Sequence, residues 1–378
     1  MKKIAILGST GSIGKNTLKV IRELNNCEIY ALYAGSNISL LVEQAEEFNP
    51  QFVGTFFSEN KKRLDKAANG RWKTLYGVEG ANKLSEDEKV DIVVIASAGS
   101  MTYESLILAM ENGKRVATAN KETIVSYSHI LRKKIPNLPG KLIPVDSEHS
   151  AIYQSLLGAN RDDVKRITLT ASGGPFYNRK SFNGITAKEA LNHPTWNMGK
   201  KITVDSATLM NKALEVIEAS VLFNLSPEEI EVVIHPESII HGFVEFKDGS
   251  IISQLSLPDM KIPIQFALTA PEHKTSPANM LSISDLGTLR FYKLDGEKFP
   301  LVPLAYHVLK EGGTLSAAFV SADEVAVDAF LSGRIEFKKI MDIVINVTES
   351  HKVVEEPEKD DIIEAENWAR EKARELIK

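Results

Sequence analysis

As far as about residue 145, short apolar runs alternate with longer amphipathic stretches. The runs KKIAIL, CEIYALYAG, FVGTFF, VDIVVIAS, RVATA and KLIPV predict strands. Between the first two, Ile13, Thr17, Val20, Ile21 and Leu24 recur at helical spacing. Strands that alternate with helices in this way predict an α/β fold, a doubly wound parallel sheet.

From residue 146 to 290 the pattern changes. VKRITLTAS, EVVIHP, GFVEF and SIISQLSL read as strands, and LMNKALEVIEASVLF reads as a helix with Met210, Leu214, Ile217 and Val221 on its apolar face. This stretch predicts an α+β domain. Inside it, GGPFYNRKSFNGITAKEALNHPTWNMGKK is rich in Gly, Asn, Lys and Pro and reads in part as a mobile loop, a candidate lid. From 291 to 378 the chain reads as a helical bundle: LVPLAYHVLKEGG, SAAFVSADEVAVDAFLSG, EFKKIMDIVINVTES and KDDIIEAENWAREKARELIK. The expected division is therefore 1–145, 146–290 and 291–378. The acidic EEPEKDD reads as the solvated start of the last helix.

Composition changes this picture by exclusion. With 378 residues, 43% apolar and 25% charged, the chain can bury a large core without staples. A net charge of -5 and a pI near 6.0 leave no concentrated basic surface for nucleic acid. The single cysteine, Cys27, forms no internal disulfide and suits a reducing compartment. The opening MKKIAIL has too short an apolar run for a secretion signal before it meets glycines, and no stretch approaches the ~20 apolar residues of a membrane span. The expected location is the cytoplasm.

Immediately after the first strand stands Gly8-Ser-Thr-Gly11-Ser-Ile-Gly14. Between a strand and a helix, such glycines let backbone amides and a helix start approach a pyrophosphate, with the Thr10 and Ser12 hydroxyls at hand. The plainer alternative is a tight strand-to-helix turn. The second strand ends in Tyr33-Ala-Gly35-Ser36-Asn37, without the acid that would hold a ribose 2′-hydroxyl, which favours NADP over NAD. Ser36 and Asn37 are candidate phosphate contacts, and no arginine clamp is visible.

A second chemistry is suggested by Asp146-Ser147-Glu148 at the end of KLIPV. Read as extended chain, its two carboxylates point the same way beside a serine, as hard ligands for Mg²⁺ or Mn²⁺. Asn211-Lys212-x-x-Glu215 offers a third carboxylate, with Asn211 and Glu215 at i and i+4 of a helix. The alternative is structural: Asp146 and Ser147 cap a helix, and Lys212 and Glu215 form a surface pair. The density of polar residues over Val204–Lys212, costly to bury, favours a ligand. Ser172 with Gly173 and Gly174 suits a phosphate or a turn. His193 and Trp196 fall in the loop, and His235 and His241 read as structural. No H-E-x-x-H occurs, so no zinc site is expected. No cysteine lies in the second domain, which excludes dehydrogenases that form a thiohemiacetal.

Together the glycine loop, Ala119-Asn120-Lys121-Glu122, Asp146-Ser147-Glu148, Ala171-Ser172-Gly-Gly-Pro-Phe, His193-Pro-Thr-Trp196-Asn-Met-Gly199 and Val204-Asp-Ser-Ala-Thr-Leu-Met-Asn-Lys-Ala-Leu-Glu215 resemble the 1-deoxy-D-xylulose 5-phosphate reductoisomerase family, in order along the chain. The resemblance implies NADPH, a divalent metal (Mg²⁺, Mn²⁺ or Co²⁺), a sugar-phosphate substrate and a homodimer. It implies that Asp146, Glu148 and Glu215 hold the metal, and that Ser147, Glu148, Ser172, His193, Ser206, Asn211, Lys212 and Glu215 meet the substrate. Thr10, Gly11, Ser12, Ile13, Gly35, Ser36, Asn37, Asn120, Glu122 and Gly199 would contact NADPH. Lys121 would stand between cofactor and substrate, Trp196 would close over the substrate, and the catalytic group would comprise Asp146, Glu148, Glu215, Lys121 and His193. The sequence departs from the family at Ser36, often basic in relatives; at Ala213, where Gly is common; and at Glu237, where Gln is common. The rival classes are a semialdehyde- or homoserine-type NADP dehydrogenase and a non-catalytic NADP-binding sensor.

Overall fold

The computed structural model describes residues 1–196 and 198–378. The chain divides into two compact units. The first comprises Met1–Thr123, Lys134–Tyr153 and Asp259–Asn279; the second comprises Ile124–Lys133, Gln154–Pro258 and Met280–Lys378.

The first unit carries seven strands: β1 (Lys2–Leu7), β2 (Cys27–Ala34), β3 (Phe52–Thr55), β4 (Lys73–Tyr76), β5 (Ile92–Ile95), β6 (Arg115–Thr118) and β7 (Lys141–Pro144). All pair in parallel in the order β4-β3-β2-β1-β5-β6-β7. The order reverses between β1 and β5, where Ile4 pairs Ile29 on one side and Ile92 on the other. At such a switch the connections leave the sheet in opposite directions and open a crevice at the carboxyl ends of the strands. β4 was not anticipated from sequence. KTLY is short and only half-buried at the sheet edge, so it lacks the apolar run that marks its neighbours.

Ile4, Ile6, Leu32 and Val94 from the sheet form one core with Leu18 and Ile21 of the helix Ser12–Glu23. The helix Lys261–Thr269 adds Ile264, Phe266 and Leu268 to that core and packs on Ser12–Glu23, β6 and β7. At its C-terminus, where helix carbonyls lack intrahelical donors, the Arg115 guanidinium donates to the oxygens of Leu268 at 2.7 Å and Ala270 at 2.6 Å.

In the second unit, β8 (Val164–Ala171), β9 (Ile230–Ile234), β10 (Ile240–Phe246), β11 (Ile251–Leu255) and β12 (Tyr292–Lys293) form a mixed sheet ordered β11-β10-β8-β9-β12. Only β8 and β9 are parallel. The helix Met210–Phe223 packs on both and on Leu301–Glu311. Leu315–Leu331 packs against Phe337–Ser350 and Lys359–Ile377 around Phe319, Phe337 and Ile340. These helices match the segments expected from sequence, whereas β12, two residues long, carried no signal. In the glycine-rich loop, Phe176 and Ile185 are buried, Phe182 packs on Phe299 and Phe337, and a capping box at Thr186 and Glu189 starts the short helix Ala187–Ala190. The sequence reading underrated this anchoring because the aromatic residues contact partners more than a hundred residues away. Among the described residues, no helix is long and apolar enough to cross a membrane.

Candidate active site

The glycine loop is built around two close approaches. A Cβ on Gly8, at φ 106°, would lie 2.5 Å from the carbonyl carbon of Ala96 at the end of β5, and one on Gly14 would lie 2.3 Å from the Gly8 oxygen. These two glycines let β1, β5 and the following helix pack. Gly11 differs: it has an ordinary φ of -73°, and its nearest contact for a Cβ is 3.4 Å away. It is the N-cap of Ser12–Glu23, and no side chain caps that end. The helix's first amides therefore face solvent beside Thr10 and Ser12, an arrangement suited to a phosphate.

The other nucleotide candidates of the first unit follow β2 and β6. Ser36 and Asn37 are exposed after β2, and the Asn37 side chain accepts from Leu40 N at 3.2 Å as the cap of Ile38–Phe48. Asn120 is buried after β6. It donates to Gly99 O at 2.8 Å and accepts from Thr123 N at 2.8 Å, which fixes the turn carrying Lys121 and Glu122.

Asp146 follows β7 and stands at the start of the helix Ser147–Ser155, with Glu148 N donating to its Oδ1 at 3.2 Å. The segment is thus a helix start, not the extended chain expected, yet it still brings oxygens of Asp146 and Glu148 within 4.8 Å of each other. Its residues are held by charge. Lys121, buried, donates to Asp146 Oδ2. His149 Nδ1 lies 3.3 Å from Asp146 Oδ1, and Ser147 Oγ donates to Glu148 at 2.5 Å. All these groups sit at the carboxyl ends of parallel strands, the edge at which open α/β sheets bind ligands.

The second unit gathers Ser172, His193 and Ser206. His193 Nδ1 accepts from the amides of Thr195 at 3.1 Å and Trp196 at 2.9 Å, so Nε2 carries the proton. Nε2 lies 3.2 Å from Ser172 Oγ and 3.0 Å from Ser206 Oγ. Burial lowers the His193 pKa to about 4, so the ring is a neutral donor near pH 7. A Cβ on Gly174 would lie 2.5 Å from the Ser206 oxygen, so only glycine lets the Ser172 turn approach that helix.

Leu209, with φ 58°, joins the helices Lys200–Thr208 and Met210–Phe223. Asn211 Nδ2 donates to Glu215 at 2.5 Å, and buried Lys212 donates to the other carboxylate oxygen. The pair is buried, not the surface pair of the structural alternative. Asn211 Oδ1 is buried without a hydrogen-bond partner among the described residues, an acceptor awaiting a donor.

His235 is structural: Nδ1 donates to Arg290 O at 2.9 Å and Nε2 accepts from Ile239 and Ile240 at 3.2 Å. Glu237, the departure in His-Pro-Glu, accepts from Arg290 Nε at 2.7 Å. Ala213 is buried. His241 lies near Trp196, ring centroids 6.2 Å apart.

Three family models cover most of the chain. That described as 1-deoxy-D-xylulose 5-phosphate reductoisomerase matches residues 4–128, its C-terminal domain matches 142–223, and the DXP reductoisomerase C-terminal domain matches 255–372. A 1-deoxy-D-xylulose 5-phosphate reductoisomerase of Thermodesulfovibrio yellowstonii is 46% identical over 380 residues, covering 100% of both chains. The chain belongs to the 1-deoxy-D-xylulose 5-phosphate reductoisomerase family.

The relative from Acetivibrio thermocellus is also 46% identical, again over 100% of both chains. A crystal structure of DOX-P reductoisomerase in complex with NADPH, fosmidomycin and magnesium superposes with a TM-score of 0.94 at 37% identity, covering 100% of this chain and 98% of that one. The family enzyme from Zymomonas mobilis in complex with NADPH gives 0.92 at 35%, covering 100% and 99%.

Two features near these groups were missed in the sequence. His149 completes Asp146-Ser-Glu-His, and the i, i+3 spacing on a helix would have revealed its contact with Asp146. Lys201 bridges Asp205 and Asp323, each at 2.7 Å, tying the helix after the loop to Leu315–Leu331. Asp323 lies in an apolar helix over a hundred residues on, and no local pattern signals it.

Proposed function

We propose that the chain catalyses the NADPH-dependent rearrangement and reduction of 1-deoxy-D-xylulose 5-phosphate to 2-C-methyl-D-erythritol 4-phosphate, in the non-mevalonate route to isoprenoids. The full-length match at 46% identity carries this reading. The donor chemistry supports it. Asp146, Glu148 and Glu215 are hard oxygen ligands suited to Mg²⁺, Mn²⁺ or Co²⁺, and the uncapped helix start at Gly11 suits the nucleotide's pyrophosphate. When bound, the metal supplies Lewis acidity toward the substrate's ketone and hydroxyl oxygens, and NADPH supplies the hydride.

The chain's own residues bind, orient and shield. Ser172, Ser206, Asn211 and Lys212 take the substrate phosphate, with the neutral His193 donating from Nε2 and leaving the ammonium of Lys212 as the group's cation. The unpartnered Asn211 Oδ1 accepts a substrate hydroxyl. Lys121 orients the Asp146 carboxylate between nucleotide and substrate, and Ser147 orients Glu148. Thr10, Ser12, Ile13, Gly35, Ser36, Asn37, Asn120, Glu122 and Gly199 line the nucleotide. Trp196 covers the substrate from the loop after Ala187–Ala190 and excludes water from the aldehyde formed before reduction.

The three-part division at 145 and 290 is proposed as a division of labour: nucleotide binding, catalysis and support. We further propose a cytoplasmic homodimer, which light scattering of the purified protein and fractionation of the source cell check. The activity itself is tested by following NADPH absorbance with 1-deoxy-D-xylulose 5-phosphate. Turnover that requires a divalent cation and yields 2-C-methyl-D-erythritol 4-phosphate is expected. A folded, NADPH-binding protein that is inert toward this substrate would sink the reading.

A further inference from the structure

At the end of β2, Ser36 is exposed and Asn37 beside it spends its side-chain oxygen on a helix cap. The end of β2 therefore offers hydroxyl and amide but no cation to a ribose 2′-phosphate. The next strand connection supplies one. At the end of β3, Thr55 Oγ1 donates to Gly35 O at 2.9 Å, and Asn60 Nδ2 reaches the same oxygen at 3.4 Å. These bonds stitch the connection after β3 to the connection after β2 and set the helix Lys61–Ala68 against Ile38–Phe48.

From that helix, Arg63 Nη2 donates to Ser39 Oγ at 2.6 Å, in the first turn after Asn37. Among the described residues, Arg63 forms no ion pair with a carboxylate, and the first turn of Ile38–Phe48 contains no acid. Lys61 is engaged elsewhere, over the Tyr76 ring at 4.9 Å from its centroid. A guanidinium with most of its five N–H groups unspent thus stands beside the exposed Ser39 hydroxyl and the start of an eleven-residue helix. A planar guanidinium matches a phosphate with paired hydrogen bonds, whereas a bare ribose hydroxyl gains little from it.

We propose that Arg63, steadied by Ser39, selects NADPH over NADH by binding the 2′-phosphate. The proposal rests on the nucleotide assignment above and adds the residue that enforces it.

Titration calorimetry of the full chain with NADPH, NADH and 2′,5′-ADP tests it without reference to turnover. Arg63→Gln is expected to weaken NADPH and 2′,5′-ADP about tenfold while changing NADH by less than about twofold. Adding Ser36→Lys to that variant is expected to restore NADPH binding. Equal losses for NADPH and NADH, or no loss for either, would overturn the proposal. The two levels of argument separate cleanly. If the unaltered chain binds NADPH no better than NADH, the nucleotide assignment fails and Arg63 with it; if it prefers NADPH and Arg63→Gln does so equally, only Arg63 fails.

Discussion

At the scale of single residues, the arrangement depends on which groups carry charge. Burial disfavours the His193 cation and lowers its pKa to about 4 in the folded protein, below the ordinary imidazole value of 6.5. The unfolded chain therefore takes up the proton first as pH falls. The contribution of His193 to stability is whole above 6.5 and is lost on descending toward 4. Urea unfolding across that window should show a steeper loss for the unaltered protein than for His193→Asn; parallel curves would mean that the ring is not held neutral.

The buried Lys212–Glu215 pair gives a second expectation. Lys212→Met removes an ammonium from a carboxylate with 0% exposure and should cost about 3–5 kcal/mol of stability, partly recovered by added Mg²⁺. Glu215→Gln and Asp146→Asn should keep the fold yet lower kcat at least about a hundredfold, read by NADPH oxidation beside a circular dichroism spectrum. Either variant with full activity would remove that residue from the proposed metal ligands.

At the scale of elements, the glycines of the first loop divide into two kinds. Gly14→Ala drives a Cβ against the Gly8 oxygen and should lower the melting temperature sharply, whereas Gly11→Ala meets nothing closer than 3.4 Å. The second should melt like the unaltered protein and still bind NADPH more weakly, since a methyl then occupies the approach to the helix start. A fall in melting temperature for Gly11→Ala would assign that glycine to packing. The sequence pattern made the strand-glycine-helix unit legible, because it is local. It also revealed Asn211 and Glu215, whose contact follows from helical spacing alone. It brought the Asp146 and Glu148 carboxylates together, but on extended chain, whereas Asp146 caps a helix as the structural alternative describes. It missed Lys201–Asp323 and Arg63–Ser39 because those partners are brought together only by tertiary packing.

At the scale of the whole molecule, the chain passes repeatedly between the two units, and the first is complete only when Asp259–Asn279 has joined it. The sequence showed LVPLAYHVLKEGG and the later helices as a bundle, but nothing in KIPIQFALT says that this helix packs beside strands more than a hundred residues earlier. Arg115 fastens it there, so Arg115→Met should destabilise the first unit by about 2–3 kcal/mol, measured by hydrogen exchange at β6 and β7. Equal protection in both proteins would show that apolar packing alone suffices.

That late helix has a consequence for synthesis. A nascent chain that has emerged as far as Tyr153 holds all seven parallel strands but lacks Ile264, Phe266 and Leu268, which cover part of their core. At translation rates of about 5–20 residues per second, the interval until Asn279 is made lasts roughly 6–25 s. Throughout it the growing sheet presents a bare apolar surface, so chaperone capture should peak on ribosome-bound chains of intermediate length and fall once that segment clears the exit tunnel.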